Sequence, residues 1–224
     1  MKTSIRYACL ICVSAFCGAG SSAAQVSAAS PDGLLALLSK PAIDLVLVVG
    51  DLDRSVEFYR DGIGMRPVGE RRELSGGVLL QRLQHGQTIF HLLAPADPPK
   101  QGPRIAEAEN DAKAQIIAAN GLRLIYLLVD DKEGILERLK TLDVKTEGGA
   151  SAAGSYALFA DPDGNPVAIQ STVRRRGGAR RAECLQMAHT VSDDAVARKF
   201  FGETLGLPSA GQIPLRSMGA TEYR

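Results

Sequence analysis

Asp44-Leu-Val-Leu-Val-Val-Gly-Asp51-Leu-Asp-Arg-Ser-Val-Glu-Phe58-Tyr59, followed by Gly62-Ile-Gly-Met65, is the stretch whose reading decides the fold. Val46, Leu47, Val48 and Val49 form an apolar run bounded by a turn signal, the pattern of a buried strand. Asp51 or Asp53 can cap the next helix by accepting backbone N–H bonds. Leu52, Val56 and Tyr59 recur at helical spacing and mark its buried side, and Gly62 and Gly64 end it. The same text returns as Val191-Ser192-Asp193, then Phe200-Phe201, then Gly206-Leu207. The interval is constant, since 193 − 51 and 200 − 58 are both 142. A weaker copy lies between them, where Val129-Asp130-Asp131 precedes Ile135, Leu136 and Leu139. Self-similarity of this kind means repeated supersecondary units. Equivalent positions are then expected to gather around one pocket.

Outward from the first helix, residues 65–70, 77–84 and 88–93 read as strands, with His85-Gly86-Gln87 as a turn. The unit is β-α-β-β-β. Residues 31–40 suggest a short helix ahead of it, and residues 96–120, opened by Pro98, Pro99 and Pro103, form an excursion after it. A second unit starts at 122–129, continues as a helix to Lys140, and supplies strands at 144–147, 155–160 and 166–171. Asp161-Pro-Asp-Gly-Asn165 joins the last two strands, a turn in which Gly and Asn tolerate positive φ. Arg174 to Arg181 is rich in arginine and carries no aromatic for stacking on bases, so it reads as a solvated linker over 173–182. The third unit, 183–224, supplies one strand over 185–191, one helix over 193–201 and then one or two strands, and is expected to stop before a fourth strand can fit.

The composition is that of an ordinary globular protein: 45% hydrophobic and 23% charged residues. A net charge of +1 gives no general pull toward nucleic acid or anionic membrane. The N-terminus stands apart. Lys2 and Arg6 precede an apolar stretch over 7–19, too short to span a bilayer, and then small residues with cleavage sites after Ala24 or Ala29. Residues 1–29 therefore read as a signal peptide, with a periplasmic or secreted destination and no membrane partner once the leader is removed. Cys9, Cys12 and Cys17 fall in that leader, leaving Cys184 alone in the mature chain.

The quoted stretch, together with the later Asp161-Pro-Asp-Gly-Asn165, resembles the vicinal oxygen chelate superfamily: glyoxalase I, bleomycin-resistance proteins, extradiol dioxygenases and relatives. The resemblance covers residues 42–172. It implies an α+β fold in which paired βαβββ modules form a half-open curved barrel, here with an incomplete third module. It also implies a divalent metal in the cavity, held by a His on the first strand and a Glu on the last strand of each module, acting as a Lewis acid on vicinal oxygens. Carried over position by position, those sites are Asp44 and His91, or the adjacent Phe90, in the first module and Leu124 and Ala168 in the second. The third offers Gln186. Leu124 and Ala168 cannot ligate, and two ligands are fewer than zinc sites usually supply. Asp44 and His91 are thus weak metal candidates, and no cofactor is assigned.

Strand alternation bears on the same residues independently. With Asp44, Val46 and Val48 toward the cavity, Leu45, Leu47 and Val49 face the helices. Ile89, His91 and Leu93 would share the cavity side. Tyr126 has the parity of Leu124, and Gln170 that of Ala168. One of Gln81 and Arg82 must face inward. His85 reads as a turn residue, and His189 as facing a helix. The substrate-binding candidates are Asp44, His91, Tyr126 and Gln170; no catalytic residue is assigned. Three functions compete. One is a lyase, isomerase or dioxygenase-type enzyme with a degraded metal site, acting on a small molecule between the modules. Another is a metal-free small-molecule-binding protein of the resistance type. The third is a non-catalytic remnant. The unpaired edge of the third unit is expected to favour homo-oligomer formation.

Overall fold

Each of the three expected helices opens on its aspartate. Asp51 accepts from the Arg54 backbone N at 3.1 Å, Asp131 from the Gly134 N at 3.0 Å, and Asp193 from the Ala195 and Val196 N at 2.9 and 3.0 Å. These contacts satisfy N–H groups that have no partner inside the first helical turn. The structure, a computed structural model, describes residues 9–11, 43–97, 121–151, 154–171, 184–207, 212–215 and 220–223. The helix suggested at 31–40, most of the excursion after Ala96 and the basic linker fall outside the described residues.

In chain order the elements are β1 (Cys9–Ile11), β2 (Leu45–Val48), α1 (Leu52–Val56, continued by a π-helical turn Glu57–Gly62), β3 (Arg66–Pro67), β4 (Arg72–Leu74), β5 (Val78–His85) and β6 (Thr88–Ala94). Then come β7 (Gly121–Val129), α2 (Lys132–Thr141), β8 (Glu147–Ser151), β9 (Gly154–Ala160), β10 (Pro166–Ser171) and β11 (Cys184–Thr190). Last are α3 (Asp194–Arg198, continued by a π-helical turn Lys199–Thr204), β12 (Gln212–Leu215) and β13 (Ala220–Tyr223). None of the helices among the described residues is long and apolar enough to cross a membrane. The strand expected over 65–70 is broken: only Arg66–Pro67 pairs there, and β4 resumes the pairing with β5. Pro67 has no N–H to give a ladder, which suits a short edge strand.

The first sheet has the order β2-β6-β5-β3, with β4 also on β5. The second has the order β11-β7-β10-β9-β8. In both complete units the first strand runs parallel to the last, β2 with β6 and β7 with β10. The third unit contributes only β11 to this scheme, antiparallel to β7. Its β12 and β13 pair with each other and with β1 in a separate three-stranded sheet. Cys9–Ile11, inside the stretch read as a leader, is placed here as a strand parallel to Thr221–Tyr223.

The two large sheets share one core built from their helix-facing sides. Leu45, Val49, Phe90, Leu92 and Leu83 of the first join Ile125, Leu127, Val129, Phe159, Val167 and Ile169 of the second. Helical residues Leu52, Val56, Phe58, Tyr59, Ile135 and Leu139 lie between them. The ring of Phe58 meets Phe159 at 6.0 Å, and Tyr59 meets Phe90 at 5.7 Å. The first of these is an edge-on contact, favourable beyond the area it buries, and the second is tilted.

Candidate functional site

The turn Asp161-Pro-Asp-Gly-Asn165 clasps the two units together. Asp161 is 5% exposed. It accepts from the Tyr59 hydroxyl at 2.7 Å, from the backbone N of Asp163 and Asn165 at 3.0 and 2.7 Å, and from Asn165 Nδ2 at 2.9 Å. Asp163 accepts from the Gly50 N at 2.9 Å and from Ser55 Oγ at 3.3 Å. Burial raises the pKa of Asp161 despite these donors, and burial beside Asp161 and Asp163 raises that of Tyr59 well above its ordinary value. Sequence reading found the turn but not this role, because nothing local says which helix a turn will meet.

The other faces of the two sheets lie outside this shared core. Asp44 and His91 come together on the first sheet: His91 Nε2 lies 4.0 Å from Asp44 Oδ2, and Asp44 Oδ1 accepts from the Ile89 N at 2.9 Å. Arg82 sits opposite His91 in the ladder, on this same face. Gln81 belongs to the other face, buried, with Nε2 donating to the Arg82 carbonyl at 3.1 Å. The His91 and Asp44 side chains are 30% and 37% exposed, and Val46 and Val48 beside them are 57% and 53% exposed. This face is a shallow open surface.

Tyr126 and Gln170 lie on the second sheet instead. The Tyr126 hydroxyl donates to Gln170 Oε1 in a short hydrogen bond. The expected single cavity holding all four candidates is thus divided between two sheets whose described mutual contacts run through the helix side. Ladder register arranges the corresponding face of the second sheet in rows. Gln186, Tyr126, Ala168, Leu158 and Glu147 stand side by side across β11, β7, β10, β9 and β8, and Leu128, Gln170 and Tyr156 form the next row. Leu124, Leu158, Ala168 and Ala188 are buried there as a second apolar cluster, with Tyr126 and Tyr156 packed against it. Gln170 and Gln186 are buried as well. Among the described residues the buried Tyr156 hydroxyl has no hydrogen-bond partner. Tyr156 was missed in the sequence, although its parity with Leu158 and Ala168 was available.

His85 is not a turn residue: it ends β5, is 5% exposed, and places Nε2 3.0 Å from the Leu128 carbonyl. His189 does face its helix, 6.1 Å from the Phe201 ring, and burial lowers its pKa. An open groove of about 330 Å³ runs past His189, Val196 and Phe200 on the third unit.

Residues 42–169 match the Glyoxalase/Bleomycin resistance protein/Dioxygenase superfamily, more than half of the 224 residues. The chain belongs to that superfamily. Among solved structures it is similar to a glyoxalase I variant from Zea mays, at 17% identity and TM-score 0.52, over 79% of this chain and 58% of that one. It is also similar to a candidate dioxygenase from Bacillus subtilis, at 16% identity and TM-score 0.53, over 80% of this chain and 61% of that one. A lactoylglutathione lyase from Agrobacterium tumefaciens shares 24% identity, with TM-score 0.39, over 60% of this chain and 96% of that one. At these identities the likeness speaks for the fold alone. A search of curated proteins finds no match.

Superfamily members often bind a divalent metal, so the donor set was set against that chemistry. Across β10, β7 and β11, the positions assigned to ligands hold Ala168, Leu124 and Gln186. Two hydrocarbon side chains and one neutral amide do not fit a divalent cation. Glu147 is the carboxylate of that face, three strands from Tyr126 and therefore about 14 Å away. On the first sheet Asp44 and His91 supply two donors only. No group of three or more His, Cys, Asp or Glu able to hold a metal is found among the described residues.

Proposed function

We propose that this chain is an exported small-molecule-binding protein of the superfamily, and that its ligand lies against the buried face of the second sheet that carries Tyr126 and Tyr156. The buried, unpartnered hydroxyl of Tyr156 carries this reading. A buried polar group without a partner costs free energy unless something fills the role. Around it stand an apolar floor of Leu124, Leu158, Ala168 and Ala188 and the neutral polar groups of Tyr126, Gln170 and Gln186. That combination suits a small, mostly apolar molecule carrying one or two hydrogen-bonding groups, since such sites pair apolar walls with a few placed polar atoms. The expected result for Tyr156→Phe is weaker ligand binding by thermal shift and calorimetry, with unliganded stability unchanged or raised. Equal ligand responses in both proteins would sink the assignment. Export is tested by mass spectrometry of the secreted or periplasmic fraction: the mature chain should begin after Ala24 or Ala29, and intact Met1 there would defeat it.

A second reading, a lyase, isomerase or dioxygenase-type enzyme, draws support from the Asp44–His91 pair. It expects metal to co-purify and chelation to abolish activity. His91→Ala should then remove the metal or ligand response while lowering stability by less than about 1 kcal/mol, because the pair is part-exposed and spans 4.0 Å. An unchanged response would remove His91 from the site. No response to any metal or ligand would leave the non-catalytic reading.

A further inference from the structure

Two tyrosines on the buried face of the second sheet place their protons differently. The Tyr126 hydroxyl donates to Gln170 Oε1. Tyr156 stands opposite Gln170 in the ladder of β9 and β10, and among the described residues its buried hydroxyl has no acceptor for its own proton. A phenol carries one proton and two lone pairs. Buried donors go unpaired more rarely than buried acceptors, because an acceptor can leave its second lone pair unused while a donor has a single proton to place. A molecule that answers Tyr156 therefore brings a hydrogen-bond acceptor. Charge narrows the class further. Among the described residues, the two rows that contain Tyr126 and Tyr156 hold no Lys, Arg or His, and they include the carboxylate of Glu147 on the neighbouring strand β8. An anionic ligand would lose its water there, with a like charge nearby and no cation in either row to offset the loss. One row from Tyr156, Leu158 and Ala168 offer a buried hydrocarbon surface, 2% and 1% exposed.

We propose that the ligands of this face are uncharged carbonyl compounds, ketones and esters on an apolar skeleton, whose oxygen accepts from the Tyr156 hydroxyl. The inference rests on the small-molecule reading above and adds to it the direction of the proton and the charge of the ligand. Tyr156 is the specificity-determining residue, since it supplies the donor. Tyr126 is a wall, because its proton is already held by Gln170. The hydrocarbon body lies on Leu158 and Ala168, where removal of apolar surface from water supplies most of the affinity. Selection among ligands then follows from what each leaves unpaired. A hydrocarbon of the same shape leaves the Tyr156 proton without an acceptor, and a carboxylate brings a charge that the face does not match.

Four probes of similar size test this: acetophenone, ethylbenzene, benzoate and 1-phenylethylamine, titrated into the full chain and into Tyr156→Phe. Acetophenone should bind the wild type about fivefold to tenfold more tightly than ethylbenzene, the ratio that one net hydrogen bond gives. Benzoate and the amine should bind most weakly. Tyr156→Phe should erase the gap by weakening acetophenone alone, with ethylbenzene unchanged, a pattern that a general loss of structure cannot produce. Infrared spectra of carbonyl-labelled acetophenone should show the stretch at lower frequency when bound to the wild type and not when bound to the variant. Equal binding of acetophenone and ethylbenzene to the wild type, tightest binding of benzoate or the amine, or no binding of acetophenone would overturn the inference. The underlying site is scored separately by the amide NMR shifts of Leu158 and Ala168 during the ethylbenzene titration. Shifts there with no preference for the ketone would defeat the ligand class and keep the site, whereas ethylbenzene shifts confined to other strands would defeat both.

Discussion

The helices after Asp51 and Asp193 are the same structure in two settings. Each begins as a short α-helix, Leu52–Val56 or Asp194–Arg198, and widens to a π turn, Glu57–Gly62 or Lys199–Thr204. Even the closing bonds correspond: Ile63 N to Phe58 O at 3.0 Å and Leu205 N to Phe200 O at 2.9 Å, then Met65 N to Tyr59 O at 3.0 Å and Leu207 N to Phe201 O at 2.9 Å. Their burial does not correspond. Phe58 is 3% exposed and Tyr59 is fully buried, whereas Phe200 is 49% exposed. The first helix lies against Phe159 and the Asp161–Asn165 turn of the second unit. Among the described residues the third helix has no such turn, and Phe201, standing where Tyr59 stands, has no hydroxyl to offer one. Local sequence sets the helix and its irregularity; a neighbouring unit sets what the helix contributes to stability.

The comparison breaks if the paired phenylalanines behave alike. Phe58→Ala should lower stability by about 3–5 kcal/mol, the usual cost of emptying a packed aromatic site. Phe200→Ala should cost less than about 1 kcal/mol, because half its ring surface already meets water. Urea denaturation of both variants gives the two numbers, and similar losses would mean that the third helix is covered in solution. The clasp is next in size. Asp161→Ala strands the Tyr59 hydroxyl and the Asn165 amide and should cost about 3 kcal/mol, with Tyr59→Phe near 1–2 kcal/mol. A double-mutant cycle should show strong coupling between the two sites, and additive losses would argue that the turn and the helix act separately.

The smallest effect sharpens the comparison by pH. Burial lowers the pKa of His189, so the folded chain takes up that proton later than the unfolded chain does. Stability linked to His189 is therefore complete above the ordinary histidine value of about 6.5 and falls as pH drops through the lower folded value. The third unit should melt slightly earlier in mild acid, and His189→Gln should flatten that dependence. A Tm profile identical in wild type and variant across that range would remove His189 as its source.

Much of this was legible in the chain. Alternation in 44–49 and 88–93 correctly separated Leu45 and Val49 from Asp44 and Val46, and it brought Asp44 and His91 to one face, because a strand has only two sides. The repeat located the start of each helix among the described residues, because Asp51, Asp131 and Asp193 each cap the helix that follows. The strand expected at 65–70 failed at Pro67, where a missing N–H limits pairing, and His85 was misread because its buried partner, the Leu128 carbonyl, lies 43 residues away.

The sequence by itself determined the units: capped helices, strand faces, the π turns repeated 142 residues apart and the hydrocarbon side chains at two ligand positions. Those properties depend on residues within one or two turns of each other. Only the tertiary structure decided which faces met. It joined the helix sides of the first two units, laid β11 on β7, and left Asp44 and His91 on a different sheet from Tyr126 and Gln170. The physical reason is that every unit has two apolar surfaces to cover and an edge to pair. Which neighbour covers which surface is settled by packing between segments far apart in the chain, a choice that no local pattern encodes.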